Sequence, residues 1–152
     1  MIDKNGRIIE SGDIVRVSGG YFKSDNGLYF VAHSPGDPTW YGNNFSLRKL
    51  NKNGTLSKGR YNINFWPLSI TVNDWQKRAE AHEWNREHAE IEVLDSIPAG
   101  HVAEYFREQA DAEAAEAERL TWLFGPDMPD ADRARVREKF LRDIVKKITD
   151  KC

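Results

Sequence analysis

Of 152 residues only one is cysteine, Cys152, the last. A single thiol cannot close an internal disulfide, so the fold must hold by burial and hydrogen bonding, and a lone thiol fits a reducing compartment. At the chain end it reads as a frayed terminus rather than an interchain link. No apolar run approaches the roughly 20 residues needed to span a bilayer. The opening MIDKNGRIIE lacks the apolar stretch of a signal peptide. A cytoplasmic protein without membrane attachment is therefore expected. Catalytic patterns are equally scarce. There is no glycine-rich phosphate loop, no nucleophile elbow and no Cys–His pair. His82 and His88 are six apart, not the four that would put two metal ligands on one helix face. The carboxylates between Glu80 and Glu118 follow helix-surface spacing, which fits a solvated face better than an acid/base pair. The expectation is a protein with no catalytic residues, no metal and no cofactor, a small hydrolase being the weakest alternative.

What is present is enough to build a core. Hydrophobic residues make up 39% and charged residues 30%, which excludes bulk disorder. Five Trp, five Tyr and seven Phe supply large buried areas to a small domain. The net charge of −2 conceals blocks of one sign. Residues 1–72 hold nine Lys/Arg against five Asp/Glu, residues 78–118 hold three against twelve, and residues 119–152 hold nine against six. Such blocks create local fields that a net charge does not report.

Residues 1–72 read as β-structure, with Gly, Asn, Asp and Ser punctuating short β-branched and aromatic runs. Strands are expected at Ile14–Val17, Leu28–Val31, Phe45–Leu50 and Asn62–Trp66, with a return strand at Leu56–Lys58. Ser34–Pro38 is a loop, because its two prolines and glycine break a ladder. Asn51–Gly54 is a hairpin turn. Near Thr71 the period changes from two to that of a helix. Asn73 is a candidate N-cap for a helix to about Ala89. Ile91–Leu94 could add a strand to the barrel edge. A second helix should run from about Pro98 to Phe124 with Val102, Phe106, Ala110, Ala117, Leu120 and Phe124 inward. A third, capped by Asp130, should bury Val136, Phe140, Ile144 and Ile148. The short turn Gly125–Pro129 makes the last two an antiparallel hairpin. The expected class is α+β: a five-stranded barrel over residues 1–72, then a helical region of three helices over 73–152.

The segment from Gly12 to Tyr29 resembles the KOW motif of transcription elongation factors and ribosomal proteins. It carries a Gly12-Asp13 turn, an Ile14-Val15-Arg16-Val17 strand, a Gly20-Tyr21-Phe22 turn and Gly27 before a second strand. The resemblance covers about 20 residues. It implies a small barrel that binds RNA, DNA or protein. The whole layout, more loosely, resembles accessory proteins carried by phages and conjugative elements of gut bacteria. That implies a mobile-element protein acting on host defence complexes, anti-CRISPR proteins being one kind.

Two surfaces are candidates for binding. On the barrel, Arg16, Lys23, Arg48 and Lys49 could neutralise phosphates, while Tyr21, Trp40 and Tyr41 on loops could stack bases or meet a protein. On the second helix, Glu104, Glu108, Asp111 and Glu118 are spaced by 4, 3 and 7 residues and line one face. Such a face suits a basic protein surface, including one that normally holds nucleic acid. The third helix carries a basic stripe, Arg135, Lys139, Arg142 and Lys146, that could pair with it. The expected function is non-enzymatic binding and inhibition of a host protein or nucleoprotein complex. The alternative is a nucleic-acid-binding KOW module of transcription or translation. Oligomeric state is left open.

Overall fold

A computed structural model describes residues 3–19, 26–42, 45–58, 62–65 and 90–151, with residues 62–65 described by backbone alone. The class is α+β. Five strands, β1 (Ile14–Ser18), β2 (Gly27–His33), β3 (Phe45–Lys49), β4 (Asn62–Phe65) and β5 (Glu90–Leu94), precede two helices, α1 (Gly100–Phe124) and α2 (Pro129–Asp150). The strands form one antiparallel sheet in the order β4-β3-β2-β1-β5. The chain divides into two compact units, Met1–Pro98 and Ala99–Cys152.

The sheet follows from period-two patterning. Val15 and Val17 face the same side and are fully covered, while Arg16 between them is exposed. Val15 stands opposite Tyr29 on β2 and opposite Val93 on β5, and Val31 stands opposite Leu47 on β3. These residues join Ile9, Val17, Phe45 and Ile91 in one buried cluster. Each such side chain contributes roughly 1.5–3 kcal/mol of burial free energy. The Gly12-Asp13 turn is built as its residue types suggest. The Asp13 carboxylate accepts the Glu10 N–H at 2.8 Å, and the Asp13 carbonyl accepts the Val31 N–H at 2.9 Å. The Asn51–Gly54 turn is closed by Gly54 N–H to Asn51 O at 3.0 Å, with Gly54 alone in the left-handed region at φ 85°. A side chain at Gly54 would collide with the Pro98 carbonyl oxygen.

Three expectations need correction. Among the described residues, four strands, not five, lie within residues 1–72. Leu56–Lys58 makes only an isolated bridge, Leu56 to Leu50, and the fifth strand is Glu90–Leu94. β4 and β5 are the two ends of the sheet order, so barrel closure is not seen among the described residues. The division between units falls after Pro98, because β5 belongs to the sheet despite its place beyond residue 72. The helix expected from Asn73 to Ala89 lies outside the described residues.

The outer side of β5 is covered by the N-terminal segment. Asp3, buried, accepts the Asn5 and Arg7 N–H groups on one carboxylate oxygen, at 2.9 and 2.8 Å, and the Val93 N–H on the other, at 2.9 Å. Lys4 N–H donates to the Ile91 carbonyl at 2.9 Å. An edge that would otherwise offer free backbone groups is thereby occupied.

In the second unit, α1 and α2 pack against each other. Ion pairs Asp111–Arg142 at 3.1 Å and Glu113–Arg137 at 3.0 Å fix an antiparallel run, since rising numbers on α1 meet falling numbers on α2. α1 buries Val102, Phe106, Ala110, Ala117 and Leu120, as its periodicity requires, together with Ala103, but Phe124 is exposed at the turn. α2 buries Ala131, Ala134, Leu141, Ile144 and Ile148; Ile144 and Ile148 are as expected, whereas Val136 is exposed and Phe140 only half-buried. Alanines on both helices permit close approach, and the larger Val136 is not needed between them. Glu113 and Arg137 sit at seam spacing and pair with each other, each only about a quarter exposed (25% and 22%). An ionic layer of this kind sets helix register.

Replacing Asp3 by Ala leaves three backbone N–H groups without their acceptor. Urea denaturation of the Asp3→Ala protein should show a loss of about 2–4 kcal/mol, larger than for Asp3→Asn, which keeps one carbonyl oxygen.

Candidate partner-binding surfaces

Of the basic set expected on the sheet, Arg16 and Lys49 are engaged within the fold. Arg16 faces Glu92 across the β1–β5 pair, 4.0 Å apart, and Lys4 lies 3.7 and 3.6 Å from Glu90 and Glu92. Arg7 holds Asp95 at 2.7 Å. The strand taken from the acidic block thus brings its carboxylates against the basic N-terminal segment. Lys49 donates to the Asn26 carbonyl at 2.8 Å and lies over the Tyr29 ring, 4.8 Å from its centroid. It closes the start of β2 onto β3. Arg48 is half-buried. Tyr21 and Lys23 lie outside the described residues.

The loop after β2 is braced. The Asp37 carboxylate, buried, accepts the Ser11 hydroxyl, the Ser34 hydroxyl at 2.8 Å and the Ser34 N–H at 2.9 Å. Ser11 reaches it from the turn before β1, a link 26 residues long in sequence that spacing could not reveal. His33 stacks on Trp40, centroids 4.6 Å apart and planes 6° from parallel, and its Nδ1 is 3.3 Å from the Thr39 hydroxyl. Ser11, Ser34 and Asp37 thus brace the loop, and His33 is held to it through Thr39 and Trp40. The brace leaves Tyr41 96% exposed beside the half-buried Trp40. Burial lowers the His33 pKa; Asp37 opposes that and Arg48 adds to it.

On α1 the acidic residues share one face, and it points away from the seam. Glu104, Glu108, Asp111 and Glu118 are all exposed. Glu104 pairs locally with Arg107 at 3.3 Å, and Asp111 pairs across the hairpin with Arg142 at 3.1 Å. Glu108 and Glu118 have no ion pair among the described residues. Arg142 is the member of the α2 basic stripe that reaches across to this face. Arg135 instead reaches Thr121 at 3.1 Å and pairs with Asp132. The same spacing continues through Ala115 and Glu118 to Trp122, which is 85% exposed. Trp122 was not among the expected contact residues, although its place four residues after Glu118 was legible. Leu123 and Phe124 follow it, also exposed.

Among the described residues no helix is long and apolar enough to cross a membrane, and no three His, Cys, Asp or Glu side chains are grouped to hold a metal. No protein-family model, curated protein or solved structure matches the chain.

The depressed His33 pKa sets a pH dependence. The unfolded chain takes up a proton near 6.5, before the folded chain does, so the contribution of His33 is full above that pH and is lost as pH falls below it. Thermal melts from pH 8 to 5 should show this loss beginning near pH 6.5. His33→Phe, which keeps the stack on Trp40, should flatten that part of the profile.

Proposed function

We propose that this protein is a non-enzymatic, cytoplasmic accessory protein of a mobile element that binds and inhibits a host protein or nucleoprotein complex, in the manner of anti-CRISPR and other anti-defence inhibitors. The observation that carries the reading is the outer face of α1, where Glu104, Glu108 and Glu118 lead to Trp122, all exposed, with Asp111 at its margin paired to Arg142. A rigid helix with that face suits a basic protein surface of the kind that ordinarily holds nucleic acid. The mobile-element setting rests on the sequence resemblance alone. In this reading the N-terminal sheet unit, whose segment Gly12–Tyr29 resembles the KOW motif, serves as the scaffold.

A second reading draws on Tyr41. An aromatic ring almost fully exposed on a braced loop is a stacking platform for an unpaired base, as a nucleic-acid-binding KOW module would need. It has less support, because Arg16 and Lys49 are already engaged.

Capture from host lysate with and without nuclease separates the two. The inhibitor reading predicts a nuclease-resistant protein partner that is lost from the Glu108→Lys/Glu118→Lys double variant. That variant should melt within about 2 °C of the parent, since exposed charges contribute little to folding. Direct nucleic-acid binding that weakens steeply with salt and disappears in Tyr41→Ala, with no protein partner, would favour the KOW module instead.

A further inference from the structure

The end of the hairpin displays three consecutive large apolar side chains. Trp122, Leu123 and Phe124 are 85%, 48% and 64% exposed, at the last turn of a 25-residue helix that stops at Gly125. Soluble proteins seldom leave such a cluster in water without a use for it. The charges beside it identify the occupant. Arg119 is held by Glu116 at 2.7 Å, Arg133 by Asp130 at 2.8 Å and Arg135 by Asp132 at 3.6 Å. Glu118 and Asp127 have no ion pair among the described residues, so the uncompensated charge around the apolar cluster is negative.

From this we infer that the hairpin tip is an anchor, with Trp122 and Phe124 entering an apolar pocket rimmed by Lys and Arg on the partner protein. The inference rests on the docking role proposed above and assigns its energetic centre. Charge decides between occupants. Phosphates of a nucleic acid or an anionic bilayer would meet Glu118 and Asp127 with like charge. A second copy of the chain meets the same obstacle, because two tips face to face juxtapose their own carboxylates. Area argues the same way. At roughly 150–250 Å² for a whole aromatic side chain, Trp122 and Phe124 offer about 350 Å², so two tips would bury roughly 700 Å² in all, short of the ~1,200 Å² of a stable interface. A concave pocket covers each ring on several sides and needs no such flat area. The rings are also preorganised by their helix, and Trp is the residue most enriched where truncation costs the most affinity.

The full-length chain tests this with one variant, Trp122→Ala/Phe124→Ala, and one probe, benzoylphenylalanine at position 123. The variant should keep the parent's helix content and lose about 30-fold or more in affinity for the captured partner. Heparin should compete with the parent for that partner. The cross-link from position 123 should fall on a partner segment containing both apolar and Lys/Arg residues. Vesicles of phosphatidylglycerol and phosphatidylcholine should leave the tryptophan emission unshifted, and sedimentation at micromolar concentration should show a monomer. Affinity kept within about threefold overturns the anchor; if Glu108→Lys/Glu118→Lys still abolishes binding, the docking role survives without it. A blue shift on vesicles, a dimer lost in the variant, or a cross-link to a second copy overturns it too. Capture of no partner by the parent removes both proposals.

Discussion

The buried carboxylate of Asp3 ties the beginning of the chain to a strand 90 residues later, by accepting the Val93 N–H. Much of the first unit depends on this junction. It holds β5 beside β1, covers the outer side of β5 and brings Ile91 and Val93 into the same cluster as Val15 and Val17. A carboxylate away from water is costly unless its oxygens are occupied. Here three backbone N–H groups occupy them, and the loop of residues 3–7 is folded around it. Recruitment of β5 also sets the limit of the first unit at Pro98.

The same junction divides the acidic block between two roles. Glu90, Glu92 and Asp95 arrive with β5 and pair with Lys4, Arg7 and Arg16, so they offset the positive charge of the N-terminal segment. The carboxylates of α1 stay on a hairpin whose seam is mostly alanine, leucine, isoleucine and phenylalanine, and only Glu113 is drawn into it, against Arg137. Glu108 and Glu118 are left outward. A chain of nearly balanced charge therefore presents a sheet unit with much of its charge paired and a helix with an acidic outer face.

Local patterns were legible in the sequence; distant partnerships were not. The alternation of Val15 with Val17, the Asn-Gly turn and the α1 periodicity from Val102 to Leu120 each depend on residues within a few positions of one another. Ile91–Leu94 was legible as a possible edge strand and is one, whereas Leu56–Lys58, expected as the fifth strand, makes only a bridge to Leu50. On α2 the stripe was right at Ile144 and Ile148 but wrong at Val136, since periodicity weighs size and close-packed helices favour Ala131 and Ala134. Phe124 kept the right spacing but lies where the opposing helix has yet to begin. Of the candidate contacts, Tyr41 and the acidic stripe were placed on exposed positions as expected. The engagement of Arg16 and Lys49 was hidden, because Glu92 and Asn26 are far from them in sequence. Trp122 needed only one more step along a spacing already recognised.

Amide hydrogen exchange on the full-length chain addresses the junction directly. If β5 is an integral strand, the amides of residues 90–94 exchange slowly and open together with those of Ile14–Ser18, as one cooperative unit. The Val93 amide should be among the most protected, because its acceptor is the buried Asp3 carboxylate. Exchange of residues 90–94 at the rate of an unstructured segment, while β1, β2 and β3 stay protected, would contradict the account.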